Sequence, residues 1–217
     1  MFPFKNRSSS GLFLPLEGEK IPYLFQLLQR GFMVRVQVGG SVRALLSQQL
    51  NISPEFLEGR IKTIFLDGKP VDDIDSTIIK EGSTVALSAA LPGLAGATLR
   101  RGGAFASLRS QITHPVHETA AAQREGFIVL KLFNLLMDEL GPALLHHGVF
   151  IKKEVLKEFL KNLPKDFWAG CQDPQVDGEE VELDKLLRMN WPEDEDPLRI
   201  RVQARDSIHK RQKGGKP

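Results

Sequence analysis

Phe32, Val34, Val36 and Val38 occupy one side of an alternation whose other side carries Arg35 and Gln37, and Gly39-Gly40 ends it at once. Period-two alternation requires a strand with one buried face, so any fold of this chain must supply a sheet to receive it. Ser41 is placed to cap a following helix, in which Val42, Leu45, Leu46 and Leu50 form a single apolar stripe. Ser53-Pro54-Glu55 opens a second, short helix carrying Phe56 and Leu57. Thr63 to Leu66 is β-branched and aromatic, and Asp67-Gly68 behind it is a hairpin signal whose return strand begins at Lys69 and Val71. After the polar loop Asp72-Asp73-Ile74-Asp75, the pair Glu81-Gly82 precedes a strand from Ser83 to about Leu91. The order over 32–91 is strand, helix, hairpin, loop, strand, which predicts an α+β unit of small-domain size.

The flanks read differently. Residues 1–11 are polar and tail-like, and Pro22 to Leu28 with Gly31 behind predicts a short helix. From 93 to 126 glycine and alanine mix with arginine, and no acid occurs between Glu81 and Glu118. This predicts a flexible or extended linker, although loops of such length are commonly functional. Phe127 to Leu140 shows one narrow polar stripe, Lys131, Asn134 and Asp138, as a buried helix would. A second helix is expected from Ile151 to Leu163 and a shorter one from Glu179 to Met189. Leu198, Ile200 and Val202 alternate as a last strand, and a basic tail begins near Lys210. The expected organisation is a tail (1–11), an α+β domain (12–92), a linker (93–126), a mainly α-helical domain (127–208) and a basic tail (209–217).

Charge narrows the function classes. Lys plus Arg number 29 against 27 Asp plus Glu in 217 residues, a net +2, so bulk charge does not indicate a nucleic-acid binder. The single cysteine excludes an intrachain disulfide framework and points to a reducing, cytoplasmic setting. No apolar run approaches a membrane span, and MFPFKNRSSSG lacks the apolar block of a secretory signal. P-loop, GxGxxG, GxSxG and HExxH patterns are missing from the sequence, so a non-catalytic protein without a small-molecule cofactor is expected.

GGSVRALLSQQL, then TIFLDGKPV, then IIKEGSTVALSAALPGLAG resemble the ubiquitin-like β-grasp domain of the thiamine- and molybdopterin-pathway sulfur carriers, over about residues 32–96. The resemblance implies a β-grasp N-terminal domain and an adenylating enzyme as partner. In that family a terminal glycine carboxylate is activated. The matching Gly96 is followed by Ala97 and lies inside the chain, so the route requires proteolysis there or after Gly102-Gly103, where Leu99-Arg100-Arg101-Gly102-Gly103 resembles the tail of ubiquitin. Gly214-Gly215 is a further diglycine without a β-grasp pattern before it. The expected function is therefore a sulfur-carrier-like protein-binding module, linked to sulfur or cofactor metabolism, with a processed carrier precursor as an alternative. Arg35 and Gln37 are assigned to the exposed face of its sheet.

A second resemblance is to a ribosomal-protein-type RNA-binding fold, with two helices, a hairpin tipped by Asp67-Gly68-Lys69, and a Lys-Glu-Gly turn. It implies RNA as a partner, with phosphate contacts from Arg43, Arg60, Lys62 and Lys69 and further ones from Arg100 and Arg101. Asp67, Asp72, Asp73 and Asp75 stand against that reading. The remaining candidates have structural readings. His114 and His117 have H-x-x-H spacing beside Glu118, but Pro115 interrupts any helix through them. His146-His147 favour a helix C-terminus when protonated. Cys171 has only acids nearby, which raise a thiol pKa and make it structural. Asp72, Asp73 and Asp75 lack the glycine and distal Glu of a calcium loop. The acids from Asp177 to Asp196 and the bases from Arg199 to Lys216 segregate charge along the C-terminus.

Overall fold

A computed structural model of the chain describes residues 11–109, 112–114, 122–191 and 196–205. The described residues form ten strands: β1 (Gly11–Glu17), β2 (Phe32–Val38), β3 (Thr63–Leu66), β4 (Lys69–Pro70), β5 (Thr84–Ser88), β6 (Arg124–Phe133), β7 (Val149–Ile151), β8 (Gln175–Val176), β9 (Glu179–Glu180) and β10 (Leu198–Arg205). The described residues divide between two compact units, one within 28–141 and the other within 11–27 and 142–205. The helices are α1 (Phe25–Arg30), α2 (Pro54–Gly59), α3 (Gly93–Leu99), α4 (Leu135–His147), α5 (Lys153–Lys161), α6 (Lys165–Ala169) and α7 (Leu183–Arg188).

In the first unit the strands run in the order β4-β3-β5-β6-β2. The elements expected over 32–88 are present, each for the reason visible in the sequence. Phe32, Val34, Val36 and Val38 are all buried on one face of β2. Ser41 accepts the Ala44 amide through its hydroxyl at 3.2 Å, and Val42, Leu45 and Leu46 are fully buried in a turn whose Ala44–Gln49 stretch is π-helical. The Ser53 hydroxyl caps α2 by accepting from Phe56 N at 3.2 Å. Asp67 and Gly68 both take positive φ, 50° and 80°, as a tight hairpin between right-twisted strands demands.

The architecture predicted from the sequence, a ubiquitin-like β-grasp domain over 12–92 followed by a mainly α-helical domain over 127–208, is overturned. Residues 127–133 belong to a strand, not a helix. Ile128, Leu130 and Leu132 are completely buried while Val129 and Lys131 between them are not, a period of two that the spacing of Lys131, Asn134 and Asp138 disguised as helical. Asn134, at φ +55°, turns the chain before α4 begins at Leu135. β6 lies antiparallel to β2 on one side and parallel to β5 on the other. The first unit therefore does not close at residue 92. The expected linker is the crossover joining parallel β5 to β6, and it carries α3 and a 3-10 turn over Ala106–Arg109.

The second unit, expected to be mainly helical, is built on the order β7-β10-β1-β8-β9. Leu198, Ile200 and Val202 are buried in β10, as their alternation predicts. They pair parallel with β1, whose own alternation of Leu12, Leu14 and Leu16, all buried, came from a segment for which no strand was foreseen. Pro15 is tolerated there because β8 reaches only Leu12 and Phe13. The expected helix at 151–163 is α5 alone, with Leu156, Phe159 and Leu160 inward, while Ile151 ends β7. The expected helix at 179–189 divides into β9 and α7. Taken separately, the two units show one sequence of strand directions: an antiparallel pair, a parallel pair, then two antiparallel pairs.

Because Leu130 sits in the strand between β2 and β5 and is fully buried, Leu130→Ala should cost about 2–5 kcal/mol of unfolding free energy. Leu108→Ala, on the exposed face of the crossover, should stay within about 0.5 kcal/mol. Denaturant melts of the two variants check both.

Candidate functional site

In the first unit the crossover lies against the end of α2 and the loop after β4, leaving an open cavity of about 630 Å3 lined by Glu58, Lys62, Asp72, Arg100, Arg101 and the backbone of Gly102–Gly103, with Ile61, Ala97, Ala104 and Phe105 the apolar residues of its lining. Each contributor is positioned by an identifiable bond. The Arg101 amide donates to the Lys62 carbonyl at 2.8 Å, and its guanidinium donates to Glu58 Oε2 at 2.7 Å. The Gly102 amide donates to Asp72 Oδ1 at 3.3 Å, with Gly102 at φ +60°. Gly96 is glycine for a different reason: a Cβ there would lie 1.9 Å from the Leu91 carbonyl oxygen.

Arg109 holds the far end of the crossover. Its side chain is only 4% exposed, and it donates to Asp72 Oδ1 at 2.7 Å, to the Thr98 carbonyl at 2.6 Å and to Thr113 Oγ1 at 2.9 Å. A buried guanidinium is tolerable only when its donors are satisfied in this way. Its bond to Asp72, which also receives Gly102, fixes the loop after β4 and the glycine turn to one another.

Of the residues singled out in the sequence, Lys62, Arg100, Arg101, Gly102 and Gly103 are brought together at this cavity. Arg43 is one step removed, bonded to Asp75 at 2.5 Å and to Glu58 at 3.3 Å. Burial works against ionisation of Glu58, but Arg101 and Arg43 together hold its carboxyl below the usual range, and Asp75 first, then Glu58, raises the Arg43 pKa. Arg60 pairs with Glu139 and Lys69 lies in the hairpin, so neither joins the cavity. Gly96 is buried within α3, its carboxyl in the peptide bond to Ala97. Arg35 and Gln37 are half-buried rather than free on an open face: Arg35 lies 5.3 Å from the Phe127 ring centre, and Gln49 brackets the Gln37 backbone with bonds of 2.6 and 3.0 Å.

Sequence reasoning missed the surface beside the cavity. Leu94 and Leu108 are each 73% exposed, and Phe105 and Ile112 are also exposed, all within the crossover. Their scattered spacing carries no periodic signal; the acid-free run from 82 to 117 was the available one. Arg109, which organises the segment, was likewise overlooked.

Elsewhere the candidates have structural roles. The Cys171 thiol is pushed up to about 11, chiefly by burial and secondarily by Asp173. His147 is pushed down by burial and then by His146, so the charged form is disfavoured, and the α4 C-terminus receives its cation from Arg199, which donates to the His147 carbonyl at 2.6 Å. Asp73 accepts the amides of Asp75 and Ser76, so the acidic loop caps itself. His117, Glu118 and Gly214-Gly215 lie outside the described residues. Among the described residues no helix is long and apolar enough to cross a membrane, and no group of three His, Cys, Asp or Glu side chains is placed to hold a metal ion.

The lining of the cavity contains two carboxylates, both bound to guanidinium groups, and among its described residues no histidine, thiol or hydroxyl. That composition suits binding an anion rather than moving a proton. No family model matches the chain, and no curated protein or solved structure is similar to it.

Two outcomes follow. Arg109→Met removes the guanidinium donor from Asp72, the Thr98 carbonyl and the Thr113 hydroxyl and should expose the crossover, so limited proteolysis should cut within 94–113 at least about tenfold faster than in the parent. Alkylation of Cys171 should accelerate about tenfold per pH unit between pH 8 and pH 10; a plateau near pH 9 would contradict the raised thiol pKa.

Proposed function

We propose that the chain is a non-catalytic binding module whose docking surface is the β5–β6 crossover, and that its partner is a protein presenting an apolar segment flanked by acids. The observation that carries this reading is the exposure of Leu94, Phe105, Leu108 and Ile112 on one tethered segment. Apolar and aromatic anchors beside arginine are the composition of a protein-binding core, and a pre-ordered segment avoids much of the entropy cost of docking. The sign of the partner follows from charge: the run from 82 to 117 contains no acid, and Arg100 is exposed, with no carboxylate in ion-pairing range among the described residues. Protein is favoured over RNA because Arg43, Arg60 and Arg101 are already engaged with carboxylates, and the exposed anchors are mainly aliphatic rather than stacking platforms. A link to sulfur chemistry through a processed diglycine is a weaker proposal, since Gly102 and Gly103 are folded into the cavity wall by their amide bonds to Asp72 and to the Arg100 carbonyl.

A photo-crosslinker at position 108, used in the native host, tests the docking surface. The expected adduct is with one acidic protein. The purified pair should bind directly, and Leu94→Asp with Leu108→Asp should weaken it at least about tenfold while Val155→Asp in the second unit does not. Adducts with RNA, or only with a second copy of this chain, would overturn the reading. A native chain ending at Gly96 or Gly103 by intact mass would overturn it in favour of the carrier precursor.

A further inference from the structure

We infer that the cavity beneath the crossover binds a small organic phosphate monoester. The inference goes beyond the docking reading and does not rest on it: it is drawn from the charged lining of the cavity and shares only Phe105 and Arg100 with that reading.

Three cations line the space: Lys62, Arg100 and Arg101. Two more, Arg43 and Arg109, are bonded to its carboxylates Glu58 and Asp72. Arg43 is matched away from the cavity by Asp75 and Asp73, so the balance at the cavity itself is Lys62, Arg100, Arg101 and Arg109 against Glu58 and Asp72. An excess of two positive charges remains, concentrated on Lys62 and Arg100, neither of which has a carboxylate in ion-pairing range among the described residues. The Lys62 ammonium donates to the Glu58 backbone carbonyl at 2.7 Å, which holds it against the cavity without neutralising it.

Arg101 adds directional donors. Its side chain is 12% exposed, yet only Nη2 is taken up, by Glu58. Its other N–H groups find no acceptor among the described residues, while no guanidinium nitrogen there is both fully buried and unpaired. They therefore have access to the cavity's solvent, where a ligand oxygen can accept from them.

The charge excess matches a dianion. A carboxylate would leave one cation uncompensated, whereas a phosphate monoester near neutral pH carries close to two negative charges and three acceptor oxygens. The volume, about 630 Å3, is that of a site for a whole small organic molecule and well beyond a bare anion. Ala97, Ala104 and Phe105 supply the apolar wall against which the ester's organic part packs, Ile61 itself being fully buried.

Phenyl phosphate titrated into the full-length protein by calorimetry, with inorganic phosphate, benzoate and phenol as comparisons, tests this. Phenyl phosphate should bind with a Kd below about 1 mM, with benzoate and inorganic phosphate each about tenfold weaker and phenol undetectable. Lys62→Met and Arg100→Ala should each weaken phenyl phosphate about tenfold, and Leu108→Asp should leave it unchanged even where partner docking is lost. Among the described residues the Arg100 guanidinium has no bonding partner, so its variant keeps the test sound should Lys62→Met unfold. Failure to bind phenyl phosphate, or equal binding by both charge variants, overturns the site. Equal affinity for inorganic phosphate overturns the assignment to an ester.

Discussion

The parallel pairing of β5 with β6 is the constraint on which the first unit depends. Antiparallel neighbours can be joined by two residues, as β3 and β4 are at Asp67-Gly68, but parallel neighbours require the chain to travel back along the sheet. The return here occupies 89–123. Had β6 been the helix its polar spacing suggested, β5 and β2 would each lack the neighbour that covers their backbone, and Ile128, Leu130 and Leu132 would have no sheet face to fill. Once β6 is placed, the residues before it become an obligatory crossover, and its unusual composition acquires a setting.

The crossover is held by charge more than by apolar burial. Leu94, Leu108, Phe105 and Ile112 point outward, while Arg109 and Arg101 reach inward to Asp72 and Glu58. A segment attached by a few well-satisfied guanidinium groups keeps its apolar side chains available and its shape defined. The same attachment leaves an excess of positive charge around a cavity, since among the described residues Lys62 and Arg100 have no carboxylate in ion-pairing range. The proposed docking surface and the proposed anion pocket are thus two consequences of one anchoring scheme.

Much of this was legible where local chemistry decides the structure. The strand at Phe32–Val38, the caps at Ser41 and Ser53, the Asp67-Gly68 turn and the strand at Leu198 all follow from short-range patterns that the sheet then reinforces. The errors came where partners distant in sequence decide. Leu12, Leu14 and Leu16 become a strand by pairing with residues near 200, and 127–133 becomes one by lying between segments ending near 38 and 88. The clustering of Lys62, Arg100, Arg101, Gly102 and Gly103 was foreseen only as scattered candidates, because the approach of 101 to 62 depends on the crossover. Arg109 was illegible for a related reason: an arginine in a glycine- and alanine-rich run looks solvated until its partners at 72, 98 and 113 are known.

The account stands or falls on β6 and the segment before it forming one tethered structure. Hydrogen exchange followed by mass spectrometry on the full chain addresses this directly. Amides of 126–133 should be among the slowest in the protein, and those of Arg101 and Gly103, bonded to Lys62 and Arg100, should exchange measurably slower than an unstructured peptide. Rapid, unprotected exchange throughout 93–109 would return that segment to a linker and remove both the docking surface and the cavity.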